Sequence, residues 1–415
     1  MLSEHLERAR GLSGRDRGLV THLVYGVLRH RARLDRHIDE RATKPRKLKG
    51  EVRTVLRVAA LELLELGHPP HAAISQAVAV IQRLDRTGRL KGLVHAIASG
   101  IAREGEALDI ALADANPIGV LMHRWSIPKW IAKRWLAELG PTKALARAQQ
   151  LSKPPRVDVR VAAPGMTRAE AASRLAVDHP SAKIESPDAH PHALRVQGAG
   201  DLFYGPLFDA GDLVVQGLAS QVPAQMLNAQ AGERILDACA GMGGKSRQIA
   251  AALGSGTLVS ADADATRLQT LRTVFDRHHA ETHLHVVQGD LTADLPQVDE
   301  HGPFDAVLLD APCTGMGNLA RHPEIRWNRQ PEDIPERVAL QTALLRRCLA
   351  RVRPGGRLVY AVCSQEPEEG AGVVQAVLDD PGEGPVPTLT SERRLTPEDD
   401  DTEGFYIARL DLPAP

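Results

Sequence analysis

The stretch RILDACAGMGGKS, residues 234–246, is the part of the chain from which the fold can be read. An apolar strand pattern runs without interruption into Cys239-Ala240-Gly241-Met242-Gly243-Gly244-Lys245, and a helical pattern follows at once. A strand that turns on glycines into a helix brings backbone N–H groups to the positive helix N-terminus, where a ligand can approach closely. Tight packing of strand against helix would also explain such a turn, so the neighbouring sequence has to decide. Downstream lie TLVSAD (257–262), LHVVQGD (284–290), FDAVLLDAP (304–312) and GGRLVYAVCS (355–364), each separated from the next by a helical pattern. Strands alternating with helices predict an α/β fold: a Rossmann-type parallel sheet covered on both faces, with ligands at the carboxyl ends of its strands.

Upstream the periodicity changes. RDRGLVTHLVYGVLRHRARLDRHIDE (15–40), EVRTVLRVAALELLELG (51–67), HAAISQAVAVIQRLD (71–85) and KGLVHAIASGIARE (91–104) repeat apolar residues three and four apart, which predicts an all-α bundle. Asp16 lies near a helix start, and Gly67 with Pro69 and Pro70 stops the second helix. PKWIAKRWLAELG is a further helix, opened by Pro128 and closed by Gly140. VDVRVAAPGMTRAEAASRLA then reads as a strand followed by a helix capped by Thr167, which suits a small α/β connecting module. The expected domains are a helical bundle over 1–140, the module over 141–213 and the sheet domain over 214–415.

The chain of 415 residues is nearly neutral, with 51 Lys and Arg against 52 Asp and Glu, but the charge is unevenly spread. Residues 1–60 carry fifteen bases and seven acids, a net of +8, as expected of a surface that displaces counterions from nucleic-acid phosphates. Residues 378–403 carry nine acids and two bases, a net of −7, in a Pro- and Gly-containing segment that reads as an exposed loop. No apolar run reaches membrane-spanning length and the charged start MLSEHLERARG lacks a secretory core, so a cytoplasmic protein without membrane contact is expected. The four cysteines, 239, 313, 348 and 363, show neither CxxC spacing nor paired histidines, so neither a metal site nor a disulfide framework is indicated.

An acid ends each of three successive strands: Asp262, where ribose hydroxyls would be bound, Asp290, where an adenine amine would be, and Asp310. Three such acids would be costly to bury unless ligands or donors satisfied them, and a shared adenosyl ligand accounts for all three. The turn is not GxGxxG in register, which disfavours a nicotinamide dehydrogenase. Cys313, in DAPCTGMG, and Cys363, in YAVCSQEPEE, lie just past the ends of adjacent strands beside this site. Cys348, inside an apolar helix, reads as packing, and Cys239 packs or lines the cofactor pocket. A thiolate beside a methyl donor suits carbon 5 of cytosine, which attacks a sulfonium methyl only after a nucleophile has added at carbon 6. A free thiol has a pKa near ~8.5, so this thiol needs positive charge or a base nearby. Asp310 is placed to hydrogen-bond the base, and a second thiol is placed to assist loss of the carbon 5 proton.

LDACAGMGGKS, LLDAPCTGMGNLARHPEIRW, VYAVCSQEPEEG and the closing EGFYIARL resemble the RsmB/Sun branch of the NOL1/NOP2/Sun family of RNA 5-methylcytosine methyltransferases. RGLVTHLVYGVLRHRARLDRHI resembles the NusB-like RNA-binding domain that precedes the catalytic part in bacterial rRNA members. The resemblance implies S-adenosyl-L-methionine as cofactor, ribosomal RNA as partner, Cys363 as nucleophile and Cys313 as the residue promoting product release; a monomer is expected. The cofactor pocket would be residues 239–245 with Asp262, Asp290 and Asp310. The chain departs from the family pattern at Gly241 for alanine, Met242 for proline, Val362 for threonine, Gly370 for asparagine and Glu403 for aspartate. Val362 removes a hydroxyl beside the nucleophile. Two alternatives stand beside this reading: a DNA-type cytosine methyltransferase with the two thiols in exchanged roles, and a noncatalytic RNA-binding or ribosome-assembly factor with a decayed site.

Overall fold

The computed structural model describes residues 2–9, 11–85, 87–198, 205–275, 281–382 and 386–414. They pack as two compact units, one of residues 1–154 with Leu319–Asn328, the other of 155–318 with 329–415.

The first unit is helical. Helices Gly14–Asp39, Gly50–Leu64, Pro70–Leu84 and Arg89–Ala113 fall where the apolar periodicity puts them. Their inward stripes form one core containing Leu34, Ile38, Leu56, Ala60, Ile81, Ile97 and Ile101. Ser13 and Asp16 form a reciprocal capping box at the first of these helices, satisfying backbone donors that would otherwise lack partners. Helix Lys129–Ser152 is kinked at Gly140, whose φ of 70° stops one helical segment before Pro141 begins the next. Much of the basic surplus of residues 1–60 is internal. Arg29 and Arg33 are buried, Arg33 pairs with Glu65 and Asp109, and Arg53 and Arg57 both pair with Asp35. Segment Leu319–Asn328 belongs to this unit through backbone carbonyls. Arg326 donates to the carbonyl of Arg29 at 3.1 Å, Trp327 to that of Leu28 at 2.7 Å, and Arg29 to that of Ala320 at 2.8 Å.

The second unit contains two sheets. Strands β1 (Val157–Val161), β2 (Lys183–Glu185), β3 (Ala193–Gln197) and β4 (Leu213–Val215) form an antiparallel sheet in the order β2-β3-β1-β4. Helix Arg168–Asp178 packs on it through Ala171 and Leu175, and Thr167 caps that helix with Glu170 as partner. The larger sheet comprises β5 (Arg234–Ala238), β6 (Gly256–Asp262), β7 (Thr282–Gln288), β8 (Phe304–Asp310), β9 (Val352–Val362), β10 (Thr388–Leu395) and β11 (Phe405–Asp411). Its order is β10-β11-β9-β8-β5-β6-β7, with β9-β8-β5-β6-β7 parallel and β11 and β10 joined to the β9 edge antiparallel. Chain order reverses between β5 and β8, which opens a crevice beyond their carboxyl ends.

Successive residues of a strand face opposite sides. Leu236, Leu309, Tyr360 and Val362 therefore pack with helices Asp333–Leu349 and Ala371–Asp379, while Ile235, Leu308, Val359 and Ala361 pack with helices Leu218–Leu227, Gly244–Leu253 and Ala265–Phe275. The acidic segment corrects the sequence reading. Residues 378–403 are not one exposed loop: they include the end of helix Ala371–Asp379, edge strand β10 and the short helix Pro397–Asp400. An edge strand held by backbone bonds to β11 can carry exposed charged residues such as Glu392, Arg393 and Arg394, so its composition looks like a loop's. Among the described residues no helix is long and apolar enough to cross a membrane, and no group of three or more His, Cys, Asp or Glu could hold a metal ion.

Candidate active site

The glycine turn leaves β5 with Cys239 at φ 61°, Gly241 at 57° and Gly243 at 84°. At Gly243 a Cβ would come within 2.7 Å of Leu271, so both conformation and space call for glycine there. A Cβ on Gly244, the first residue of its helix, would meet nothing within 4 Å, so the helix N-terminus opens onto free space. Asp262, at the end of β6, accepts from the backbone N–H of Gly241 and of Asp264, each at 2.8 Å. It therefore braces the turn as well as facing it. Asp290 lies two residues past β7 and is exposed; the hydroxyl and backbone N–H of Thr292 hold its carboxyl below the usual carboxylate range. Asp237, fully buried in β5, is pushed up to about 7 by burial despite a 2.5 Å hydrogen bond from Ser246. Cys239 lies against the core, and burial pushes its thiol up.

Lys245, one residue into the helix, turns its ammonium onto Asp310 at 2.6 Å and Ser220 at 3.2 Å. Burial opposes its charge, but the hydrogen-bonded Asp310, Asp237 and Cys363 together hold it above the usual lysine range. Asp310 ends β8 opposite Ala361 of β9, so the loops after these adjacent strands meet. There the sulfurs of Cys313 and Cys363 lie 3.2 Å apart, both partly exposed. Gly317 N–H donates to the Cys363 carbonyl at 3.0 Å, and Gly404 N–H donates to the Gly317 carbonyl at 2.9 Å. The hydrogen bond with Cys363, burial, and the charges of Cys363 and Glu369 push the Cys313 thiol well above its ordinary range. Cys348 is fully buried in helix Asp333–Leu349, as expected of a packing residue, and burial pushes it up to about 12.

The structure thus brings Lys245, Asp310, Cys313 and Cys363 together and places Asp262 beneath the turn. It leaves Asp290 at the rim. Two participants went unread in the sequence. Ser220 comes from helix Leu218–Leu227, remote in the chain and without any motif. Glu369 stands inside the second cysteine motif as the later member of an acid pair, and nothing in the run SQEPEEG distinguishes it from Glu366 and Glu368.

The departures from the family pattern have local explanations. Met242 is 64% exposed on the outside of the turn. Val362 packs in the apolar cluster with Tyr360 and Val373, whereas Cys363 packs on the opposite face of the sheet, so the hydroxyl expected to be missing beside Cys363 would not have lain on its side. At Gly370 a Cβ would come within 2.8 Å of the Tyr406 ring. Glu403 accepts from Ala219 N–H at 3.3 Å, and the missing Cβ of Gly217 makes room for its longer side chain.

A family profile described as 16S rRNA methyltransferase RsmB/F matches residues 224–411, and a NusB family profile matches residues 1–103. Ribosomal RNA small subunit methyltransferase B of Vibrio cholerae is 34% identical over 408 residues, covering 95% of this chain and 89% of its own. A solved methyltransferase homologue from Pyrococcus horikoshii is 26% identical with a TM-score of 0.60, covering 72% of this chain and 99% of its own. The crystal structure of PH0851 matches with a TM-score of 0.77 over 99% of this chain and 93% of its own; at 24% identity this likeness speaks to the fold alone.

Proposed function

The chain belongs to the RsmB/F family of 16S rRNA methyltransferases, and from that premise we propose a division of labour between its two thiols in the methylation of a cytosine in small-subunit rRNA at carbon 5. The observation that carries the reading is the 3.2 Å approach of Cys313 and Cys363 beside the Lys245–Asp310 pair.

The residues around the glycine turn fit S-adenosylmethionine: an open helix N-terminus at Gly244 for the carboxylate end, and Asp262 and Asp290 for the ribose and adenine. That cofactor supplies the methyl group taken up by carbon 5. The protein's own residues handle electrons and protons. Cys363, as thiolate near the Lys245 ammonium, forms a bond to carbon 6 while the carbon 5–carbon 6 pair shifts toward ring nitrogen 3. Asp310 accepts a hydrogen bond from the exocyclic amine and orients the ring. A water molecule gives a proton to nitrogen 3, and the hydroxide left behind takes the proton of Cys313, which becomes a thiolate. Once carbon 5 carries the new methyl group, Cys313 takes the proton leaving that carbon. The freed pair re-forms the ring double bond and expels the Cys363 thiolate, and the nitrogen 3 proton passes to water. One proton is released per turnover, and both sulfurs return to their starting states.

Exposed Lys44, Arg46, Lys47 and Lys49, around the short helical turn Pro45–Lys47, support contact of the helical unit with RNA phosphates. The target base must leave any stack to reach the thiols, which favours a loop or a transiently exposed rRNA segment. We take the enzyme to act in the cytoplasm as a monomer. RNA carrying 5-azacytidine tests the assignment, because its adduct has no carbon 5 proton to lose. Cys363→Ala should abolish the covalent complex and Cys313→Ala should retain it. An adduct that survives in Cys363→Ala refutes the assignment and favours the DNA-type exchange of roles.

A further inference from the structure

Two thiols 3.2 Å apart share surroundings closely enough that something must decide which of them keeps the proton. The surroundings are asymmetric. On the Cys363 side stands the Lys245 ammonium, 5.7 Å from the ring of Phe405, which belongs to the apolar cluster against which Cys363 packs. On the Cys313 side stands Glu369, fully buried, which takes two hydrogen bonds from Thr314 and a third from Gln341, whose amide also donates to the Pro312 carbonyl on the other side of Cys313. One oxygen of Glu369 accepts from the backbone N–H of Thr314 at 2.8 Å and from the Gln341 amide at 3.0 Å. The other accepts from the hydroxyls of Thr314 and Ser364, each at 2.5 Å. None of these four donors is a cation. The carboxylate is therefore satisfied by dipoles alone, and its negative charge remains to act on its neighbours. Thr314 and Ser364 each directly follow one of the two cysteines.

We propose that Glu369 is a positioning residue for both thiols: it ties the residue after Cys313 to the residue after Cys363, and its charge keeps the proton of the pair on Cys313. The inference rests on the assignment of Cys363 as nucleophile. It explains why the two sulfurs, both partly exposed, take different parts. A negative charge on the Cys313 side disfavours a thiolate there, and the ammonium on the other side favours one at Cys363. A purely structural clamp would not need the charge. Glutamine can keep the same bonds, because its carbonyl can face the two N–H donors while the rotatable hydroxyls of Thr314 and Ser364 turn to accept from its amide.

The test is alkylation of each cysteine by iodoacetamide across pH, read by peptide mass spectrometry on the full-length protein without RNA. In the wild-type protein Cys363 should label at lower pH than Cys313. Glu369→Gln should raise the Cys313-to-Cys363 labelling ratio at fixed pH by about tenfold, equivalent to one pH unit. Turnover should fall with little change in KM for RNA, and Glu369→Asp, which keeps the charge, should restore the ratio toward wild type. Preferential labelling of Cys313 in the wild-type protein would overturn the proposal with no variant needed. So would an unchanged ratio in folded Glu369→Gln. The 5-azacytidine adduct separates the two levels: an adduct on Cys313 removes the underlying assignment, whereas an adduct on Cys363 with an unchanged labelling ratio removes only the role of Glu369.

Discussion

Gly317→Ala should disable the enzyme from a position that contacts no reacting atom. Gly317 is wedged between the Cys363 carbonyl and the start of β11, and a Cβ there would lie 1.9 Å from the Gly404 carbonyl oxygen, 2.6 Å from its carbon and 2.9 Å from the Cys363 oxygen. Ordinary contact begins near ~3.4 Å, so the two backbones must part by roughly 1.5 Å. Both backbone hydrogen bonds of Gly317 are lost in that movement, at about 1 kcal/mol each, and overpacking adds about 1–3 kcal/mol. The expected destabilisation is about 3–5 kcal/mol, read as a lowered urea midpoint with unchanged slope. The Cys363 carbonyl is one of the displaced groups, so its sulfur moves as well. Displacement on the order of 1 Å costs roughly 100-fold in rate. Methyl incorporation into transcribed 16S rRNA, measured at urea-free conditions where the variant is still folded, should fall by at least that factor. A folded Gly317→Ala variant within about 1 kcal/mol of wild type and of near-normal activity would show that the two loops are not held by this contact.

Two further perturbations separate binding from stability. Gly244→Ala meets nothing in the structure, so stability should change by less than about 1 kcal/mol while S-adenosylmethionine affinity by calorimetry drops at least tenfold, because the added methyl group occupies the space assigned to the cofactor; unchanged affinity would move the cofactor elsewhere. Asp237 titrates near 7 in the folded chain against 3.8 when exposed, so the folded state holds the extra proton between these values, and its contribution to stability is full below 3.8 and lost as pH rises through 7. Asp237→Asn keeps the Ser246 bond without titrating and should gain up to about 4 kcal/mol relative to wild type between pH 4 and 8; parallel stability curves for the two proteins across that range would contradict the buried, proton-holding carboxyl.

Periodicity settled the larger architecture. Apolar residues at helical spacing before residue 120 and strand-helix alternation after 233 are local patterns, and each element buries its apolar face whatever its neighbours are. The cysteine motifs were legible for a related reason. A strand end followed by a short loop stays at the carboxyl edge of a parallel sheet, so Cys313 and Cys363 could be placed there from chain order alone.

What the linear pattern could not supply was partnership across the chain. Lys245 read as part of a cofactor turn, and only the folding of β8 beside β5 put Asp310 under its ammonium. Val362 read as a loss at the site because it adjoins Cys363, yet alternation along β9 sends it into the opposite core. Strand β10 was hidden because an edge strand draws its stability from backbone bonds to a neighbour and leaves its side chains free to be charged. Much of the N-terminal positive charge read as a nucleic-acid surface, but Arg33, Arg53 and Arg57 are engaged with carboxylates inside their own unit. Glu369 shows the same limit most plainly. The sequence by itself determined that an acid follows the second cysteine by six positions. Only the tertiary structure decided that this acid is buried between two loops and held by neutral donors, because the effect of a charge depends on distance and dielectric surroundings, and neither is a property of position along the chain.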